Sequence, residues 1–299
     1  MQDKKFLFPE NPLFRRTPDI EYEEEYNEVN KYFSESLLIN LENLENNKIN
    51  IKFNKSEKPF CLIYRGWMIS PENYEKLYNI FAEKSYFLIN TPEQYKYCHM
   101  ISEWYDDFAD FTPFTLYTDK ISDKSIDNML EQFGTRKAII KDYVKSRKHE
   151  WYEACYIPDC SDKKNALKII HTFIKRQGNN LAGGLVIREY NNLKPIGFHH
   201  KSGICIFEEY RLFFLFGRLI NVINYWNKTD LKCSLSNSEL EYICNIAKKV
   251  KSNFFTVDIA RKTNGNFIII ELGDGQVSGL QDFSAEEFYR DFSNIINLN

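Results

Sequence analysis

The chain has 299 residues, 43% of them hydrophobic, and a formal net charge of −3. That length leaves room for a substantial core and for two or three structural units. The slightly acidic balance, with basic residues scattered apart from the short cluster KSRKHE, argues against a nucleic-acid-binding module.

The opening MQDKKFLFPENP has no long apolar run after its basic residues, and the later FFLFGRLINVI is short and interrupted by Arg218, so no membrane segment is expected. The 7 cysteines are odd in number and never form CxxC, which gives neither a disulfide framework nor a zinc ribbon. A cytoplasmic protein with reduced thiols is expected.

Residues 1–57 read as an amino-terminal extension rich in Glu, Asn and Tyr. Its stretch IEYEEEYNEVNKYFSESLLINLENL is helix-like, with the acids on a solvated face. The pattern changes near Pro59: FCLIYRGWM is an apolar strand, SPENYEKLYNIFAEKS a helix capped by Ser70 ahead of Pro71, and YFLIN a second strand. Residues 58–117 therefore contain a βαβ unit, which favours a parallel sheet with ligands at the carboxyl ends of its strands. Arg65 lies near the end of the first strand, as a surface arginine or a substrate-binding one.

The aromatic segment TPEQYKYCHMISEWYDDFADFTPFTLY reads as a helical connection ending in a short strand. In the remainder, residues 118–299, strands are expected at KAIIKDYV, EWYEACYI, GGLVIREY, EEYRLFFLF, NFFTVDIA and NFIIIELG, with helices at ALKIIHTFIKRQG and SNSELEYICNIAKKV. The fold class is α+β, largely antiparallel in this part.

The sharpest chemical signal is the last hairpin. Asn264-Gly265 is a dipeptide suited to a tight two-residue turn, and counting outward from it pairs Thr263 with Asn266 and Asp258 with Glu271. Two opposed carboxylates repel unless a cation lies between them, which suggests Mg²⁺ carrying a nucleotide; the alternative is that both face water. Asp274 would face away from Glu271 in a regular strand, unless Gly273 and Gly275 bend the backbone and bring it back as a third ligand. Lys141 lies on or beside a strand, where a charged group needs a partner, and a phosphate would serve. Lys145, Ser146 and Lys148 in KSRKHE form either a basic surface loop or a cover over phosphates. Glu209 and Arg211 share a strand face, as an ion pair or with the arginine reaching a phosphoryl group. His199 and His200 are adjacent and in extended chain point to opposite faces, so they are not expected to form a ligand pair.

Together these segments resemble the ATP-grasp superfamily, specifically the clade named for two arginines and a lysine. The order carries the resemblance: a lysine-bearing strand, a loop, a hinge strand, an arginine-bearing strand and a final acidic hairpin, from CLIYRGWM to ELGDGQVSGL. It implies an ATP-grasp fold with a preceding βαβ (pre-ATP-grasp) domain and ATP held between two α+β subdomains. It further implies Lys141 near the phosphates under KSRKHE, Ile187, Arg188, Glu189 and Tyr190 as the hinge bordering adenine, and Glu209 among the nucleotide contacts. Arg211 looks like the phosphate or acyl-phosphate arginine, Asp258 with Glu271 the Mg²⁺ pair, and Arg65 the clamp on a carboxylate substrate. The loop departs from the glycine-rich pattern, and Gly273 stands where the family places asparagine. The activity implied is ADP-forming ligation of a carboxylate to an amine acceptor, small molecule, peptide or protein. Transfer of AMP to Lys141 is a weaker alternative because KDYV lacks the aspartate-glycine context, and a nucleotide sensor without catalysis is another.

Overall fold

The computed structural model describes residues 4–33, 36–45, 55–198, 205–226 and 234–297, so His199 and His200 lie outside the described residues. The chain divides into two compact units. Unit 1 comprises residues 1–99, 198–258 and 272–299, and unit 2 comprises residues 100–197 and 259–271. Among the described residues no helix is long and apolar enough to cross a membrane.

Unit 1 contains a parallel sheet ordered β2-β1-β3-β4, formed by β1 (Lys4–Pro9), β2 (Leu37–Ile39), β3 (Phe60–Tyr64) and β4 (Tyr86–Leu88). The expected β3-helix-β4 unit is present, with the Ser70 hydroxyl accepting from the Asn73 amide at 3.2 Å to start the helix Pro71–Ala82. The amino-terminal segment supplies two of the sheet's strands, and β1 is internal. Its helical stretch is shorter than expected, Glu23–Tyr32, because Leu37–Ile39 alternates into the sheet.

Unit 2 holds the antiparallel sheet β5-β8-β6-β7, formed by β5 (Thr115–Thr118), β6 (Ala138–Asp142), β7 (Tyr156–Ile157) and β8 (Leu185–Glu189). One face, carrying Ala138, Ile140, Ile157, Leu185 and Ile187, is buried with Ile126, Leu130 and Phe133 of the helix Asp123–Phe133 and Ile169, Ile170 and Phe173 of the helix Lys163–Gln177. The segment EWYEACYI differs from the strand expected of it. Trp151–Ala154 is a helical turn and only Tyr156–Ile157 is extended, since Trp151 stacks on Tyr156 with ring centroids 5.2 Å apart and Ala154 is buried with the helices.

The remaining strands are β9 (Pro195–Phe198), β10 (Cys205–Phe207), β11 (Glu209–Leu215), β12 (Arg218–Asn224), β13 (Phe254–Arg261) and β14 (Phe267–Asp274). The order β12-β11-β13-β14 completes a second sheet, whose last two strands pass from one unit to the other at Asp258/Ile259 and Glu271/Leu272. A helix not expected from the sequence, Ala285–Ile296, supplies the aromatic centre of unit 1: Tyr289 meets Phe6 at 5.5 Å, Phe288 meets Phe213 at 5.0 Å and Phe292 meets Phe254 at 5.3 Å.

The hairpin turn differs from the two-residue form. Lys262 donates to the Asn266 carbonyl at 2.8 Å, Gly265 donates to Lys262 at 2.9 Å, and Gly265 alone in the turn has positive φ, +91°. This is a three-residue loop with a bulge at the glycine. At the far end Gly275 donates to Phe254, so 8 steps along β13 are matched by 9 along β14. Within β14 the Ile269 and Ile270 carbonyls both accept from Arg188.

Asp274 sits in a polar pocket of unit 1, 1% exposed. Its carboxylate accepts from Asn90 Nδ2 at 2.6 Å and from the Gln276 amide at 2.9 Å, and Asn90 also donates to the Phe254 carbonyl at 2.7 Å. Burial raises its pKa from the ordinary 3.8 to about 6 against these hydrogen bonds. The folded chain therefore binds a proton that the unfolded chain has released between those two values. Stability is predicted to fall by about 3 kcal/mol as pH rises from 4 to 6 and then level off. Urea unfolding across this range checks it; Asp274→Asn should flatten the decline, and an unchanged profile in that variant would contradict the assignment.

Candidate functional site

The face of the unit 2 sheet opposite its core is set by register. Lys141 pairs with Val186, and Ile139 with Arg188, which itself pairs with Thr115, so Lys141 and Arg188 share that face. Both are buried, 9% and 8% exposed. The Lys141 ammonium lies 3.7 Å from the carboxylate of Glu271, itself about half exposed. Burial lowers the Lys141 pKa below the ordinary lysine value, with Glu271 opposing and Arg188 and Lys148 adding to the depression.

Arg188 donates to the Ile269 and Ile270 carbonyls and to the Thr112 hydroxyl, while its Nε has no partner. Its guanidinium lies 6.0 Å from the Trp104 ring. Burial brings its pKa down to about 10, opposed by Glu271. Two buried cations thus lean on one half-exposed carboxylate, and the face carries an excess of positive charge suited to an anion.

The KSRKHE loop is an ordered turn at the end of β6. The Asp142 carboxylate, on the core-side face, accepts from the Val144 and Lys145 amides at 2.7 and 2.5 Å and from Gln177 at 2.8 Å. Ser146 bridges back to Lys141, and Lys148 starts a short 3-10 turn. Arg147 joins the loop to Glu150 and, at 3.1 Å, to Gln177. At the other end of the sheet the hinge residues diverge. Ile187 points into the core and offers only its backbone, Glu189 lies 3.8 Å from Arg136, and Tyr190 meets Tyr156 at 5.2 Å beside Trp151.

In unit 1, Arg211 holds Asp258 bidentately at 2.9 and 2.7 Å, donates to the Gly279 carbonyl at 3.0 Å and lies 5.2 Å from the Tyr225 ring. Glu209 stands two residues earlier on the same strand face, half-buried like Arg211. Each carboxylate expected to hold Mg²⁺ is therefore matched, within its own unit, with a cation expected to hold phosphate: Glu271 with Lys141, Asp258 with Arg211. Among the described residues no group of three or more His, Cys, Asp or Glu is arranged to hold a metal. Two carboxylates fit Mg²⁺ only when phosphate and water complete its six oxygen ligands.

Two expected site residues face inward. The Asp274 carboxylate, expected as a third metal ligand, is buried and held by Asn90 and Gln276. Arg65, expected as a substrate clamp, is 1% exposed, and the carboxylate it grips is Glu25, with both contacts at 2.9 Å. Its remaining donors serve the Gly275 and Ser278 carbonyls, and the Tyr289 hydroxyl donates to the same Glu25. Sequence reasoning misses this partner because it lies 40 residues away in a stretch whose acids all read as solvated.

The family model for an ATP-grasp domain, family 3 of the clade named for two arginines and a lysine, matches residues 132–292, more than half of the chain. None of the curated proteins matches the sequence. Among solved structures, the D-cycloserine synthetase DcsG aligns with a TM-score of 0.60 and 11% identity, over 98% of this chain and 99% of that one. The macrocyclase MdnC from Microcystis aeruginosa MRC, bound with precursor peptide MdnA, aligns with a TM-score of 0.58 and 11% identity, over 99% and 100%. The ATP-grasp ligase PsnB, complexed with a phosphomimetic variant of minimal precursor, Mg and ADP, aligns with a TM-score of 0.57 and 11% identity, over 100% and 98%. At such identities the likeness is one of fold.

The position of Arg65 makes its substitution a test of stability. Glu25→Gln leaves a buried guanidinium without its counter-charge and is predicted to cost about 3–5 kcal/mol in urea unfolding, with Arg65→Met together with Glu25→Leu recovering much of it. A fully stable Arg65→Met protein with a raised substrate requirement would instead support the clamp role.

Proposed function

We propose, from the premise that this chain belongs to the ATP-grasp domain family, in the clade named for two arginines and a lysine, that it is an ATP- and Mg²⁺-dependent ligase joining a carboxylate to an amine. The observation that carries the reading is the excess of buried positive charge on one face of the unit 2 sheet, where Lys141 and Arg188 share Glu271. A phosphate there would take up the lysine and the free Nε of Arg188. Lys145, Ser146 and Lys148 would cover it, and the backbone from Ile187 to Tyr190 would border the base.

Mg²⁺, when bound, neutralises charge on phosphate oxygens, and Asp258 and Glu271 would be the carboxylates to hold it. Lys141 and Arg211 would bind phosphate oxygens. Arg211 would then offset charge on the phosphoryl group as its bond to the ADP oxygen breaks and a bond to the substrate carboxylate forms. The amine attacks the resulting acyl carbonyl, phosphate leaves with the carbon-oxygen electron pair, and the amine proton goes to solvent. These residues supply positioned positive charge, and the reaction as written requires no strong base from the protein. Peptide substrates are favoured, since PsnB is described with precursor peptide PsnA2 and MdnC with precursor peptide MdnA.

Analysis of nucleotide products in the presence of candidate carboxylates and amines tests the reading. Acceptor-dependent ADP and phosphate are expected; AMP with pyrophosphate would favour adenylyl transfer to Lys141, and binding without turnover a sensor. Glu271→Gln is predicted to lower turnover at least about 100-fold while the chain still unfolds cooperatively in urea. A well-folded variant that consumed ATP at the parent rate would remove Glu271 from the site.

A further inference from the structure

The outer face of the helix Lys163–Gln177 in unit 2 carries a charge pattern that the nucleotide chemistry leaves unused. The helix buries Ala166, Ile169, Ile170 and Phe173 against its sheet, and its 15 residues include no aspartate or glutamate. On the opposite side Lys164, Lys168, His171 and Lys175 follow one another at steps of four, three and four residues, so they form one straight row, all exposed. A surface hollow of about 420 Å³ is lined by Lys168, His171, Thr172, Lys175 and Arg176. One element thus presents the whole surface.

This arrangement works against the helix that carries it. Lys163 and Lys164 occupy the first turn, where the helix dipole favours acids, and Asp162 at the N-cap opposes them. Lys164 and Lys168 are like charges at four-residue spacing, which destabilises a helix. A solvated helix face ordinarily alternates the two signs along its length. A row of one sign, kept at the expense of its own helix, calls for a partner of the other sign.

The neighbouring acids set the limits of the row. At about 100° per residue, Lys163 and Arg176 fall on opposite sides of it. On the Lys163 side, the helix Asp123–Phe133 brings Glu131 to 2.8 Å from Lys163 and Asp123 to 3.5 Å from His171, with Asp127 also acting on Lys163. On the Arg176 side, Glu150 and Glu153 lie 3.0 and 2.6 Å from Arg176, and Glu150 is shared with Arg147. The edges are therefore matched, whereas Lys164, Lys168 and Lys175 have no carboxylate partner among the described residues.

We propose that this row is the docking surface for an acidic helix of a protein partner, about three turns long, with a carboxylate opposite each free lysine. Charge complementarity selects an anion, and the acidic edges select its width. A nucleic-acid backbone or an anionic bilayer would spread phosphates beyond the row onto Asp123, Glu131 and Glu153, on a chain whose formal net charge is already −3. A helix with acids at the same spacing as the lysines meets only the cations. The inference does not rest on the ligase reading, because none of the free lysines is among the residues assigned to the nucleotide.

Fluorescence anisotropy with a labelled alanine-based helical peptide carrying Glu at that spacing, titrated with the full chain, tests it. Binding is expected, weakened about tenfold or more when Gln replaces Glu and again when salt is raised to about 0.5 M. A peptide of the same composition with its acids spread around the helix should bind more weakly. Lys168→Glu with Lys175→Glu should lose the Glu peptide and gain a Lys counterpart, a reversal that a loss of folding cannot produce. Lys164→Gln with Lys168→Gln should weaken the Glu peptide about tenfold or more while the urea midpoint stays at or above that of the parent, since a like-charge pair and a charge opposing the dipole are removed. Equal binding of the Glu and Gln peptides, absence of the reversal, or tighter binding of a single-stranded oligonucleotide or of phosphatidylserine vesicles overturns the inference.

Discussion

A guanidinium withdrawn from water must find counter-charge and acceptors, and Arg65 is where that requirement organises unit 1. Its two-pronged contact with Glu25 joins β3 to the helix Glu23–Tyr32, and its contacts with Gly275 and Ser278 join β3 to the segment after β14. Tyr289 donates to the same carboxylate, and the Phe288 ring lies 5.7 Å from the guanidinium, which adds the carboxyl-terminal helix. Four segments far apart in sequence meet at one charge. The aromatic cluster around Phe292 then packs against elements whose relative placement is already constrained.

The same rule acts on unit 2 with a different result. Asp142 is satisfied by amides and Gln177 and holds the turn that carries Lys145 and Ser146. On the other face, Lys141 and Arg188 are buried beyond what Glu271 compensates. A fully paired interior stabilises a fold, whereas an underpaired one leaves affinity for an anion. Arg65 has all three of its nitrogens hydrogen-bonded, whereas Arg188 keeps an open Nε.

Much of this was legible in the residues. The capped helix Pro71–Ala82, its flanking strands, the period-two strands β6, β8, β11 and β13, and the helices Lys163–Gln177 and Asn237–Ala247 follow from caps and alternation that act within a few residues. The helix Ala285–Ile296 was also signalled, by Ser284 three residues before Glu287, and its hydroxyl does accept from the Glu287 amide at 3.3 Å. What could not be read were long-range choices: that β1 enters the sheet beside β3, that Glu25 alone of its acidic neighbours turns inward, and that Arg188 reaches the Ile269 and Ile270 carbonyls. Each depends on a partner tens of residues or more away, which local pattern does not contain.

The inward turn of Arg65 and Asp274 changes what recognition can rest on. Both stood where the sequence suggested ligand contacts, and both are saturated by protein groups, so displacing either would expose buried charge at a cost no single substrate contact offsets. Arg211 and Asp258 likewise satisfy each other within unit 1, whereas Lys141 and Arg188 in unit 2 are buried with only the half-exposed Glu271 to balance them. Burial without full pairing leaves that face of the unit 2 sheet with an affinity for an anion, the property that a nucleotide phosphate would use.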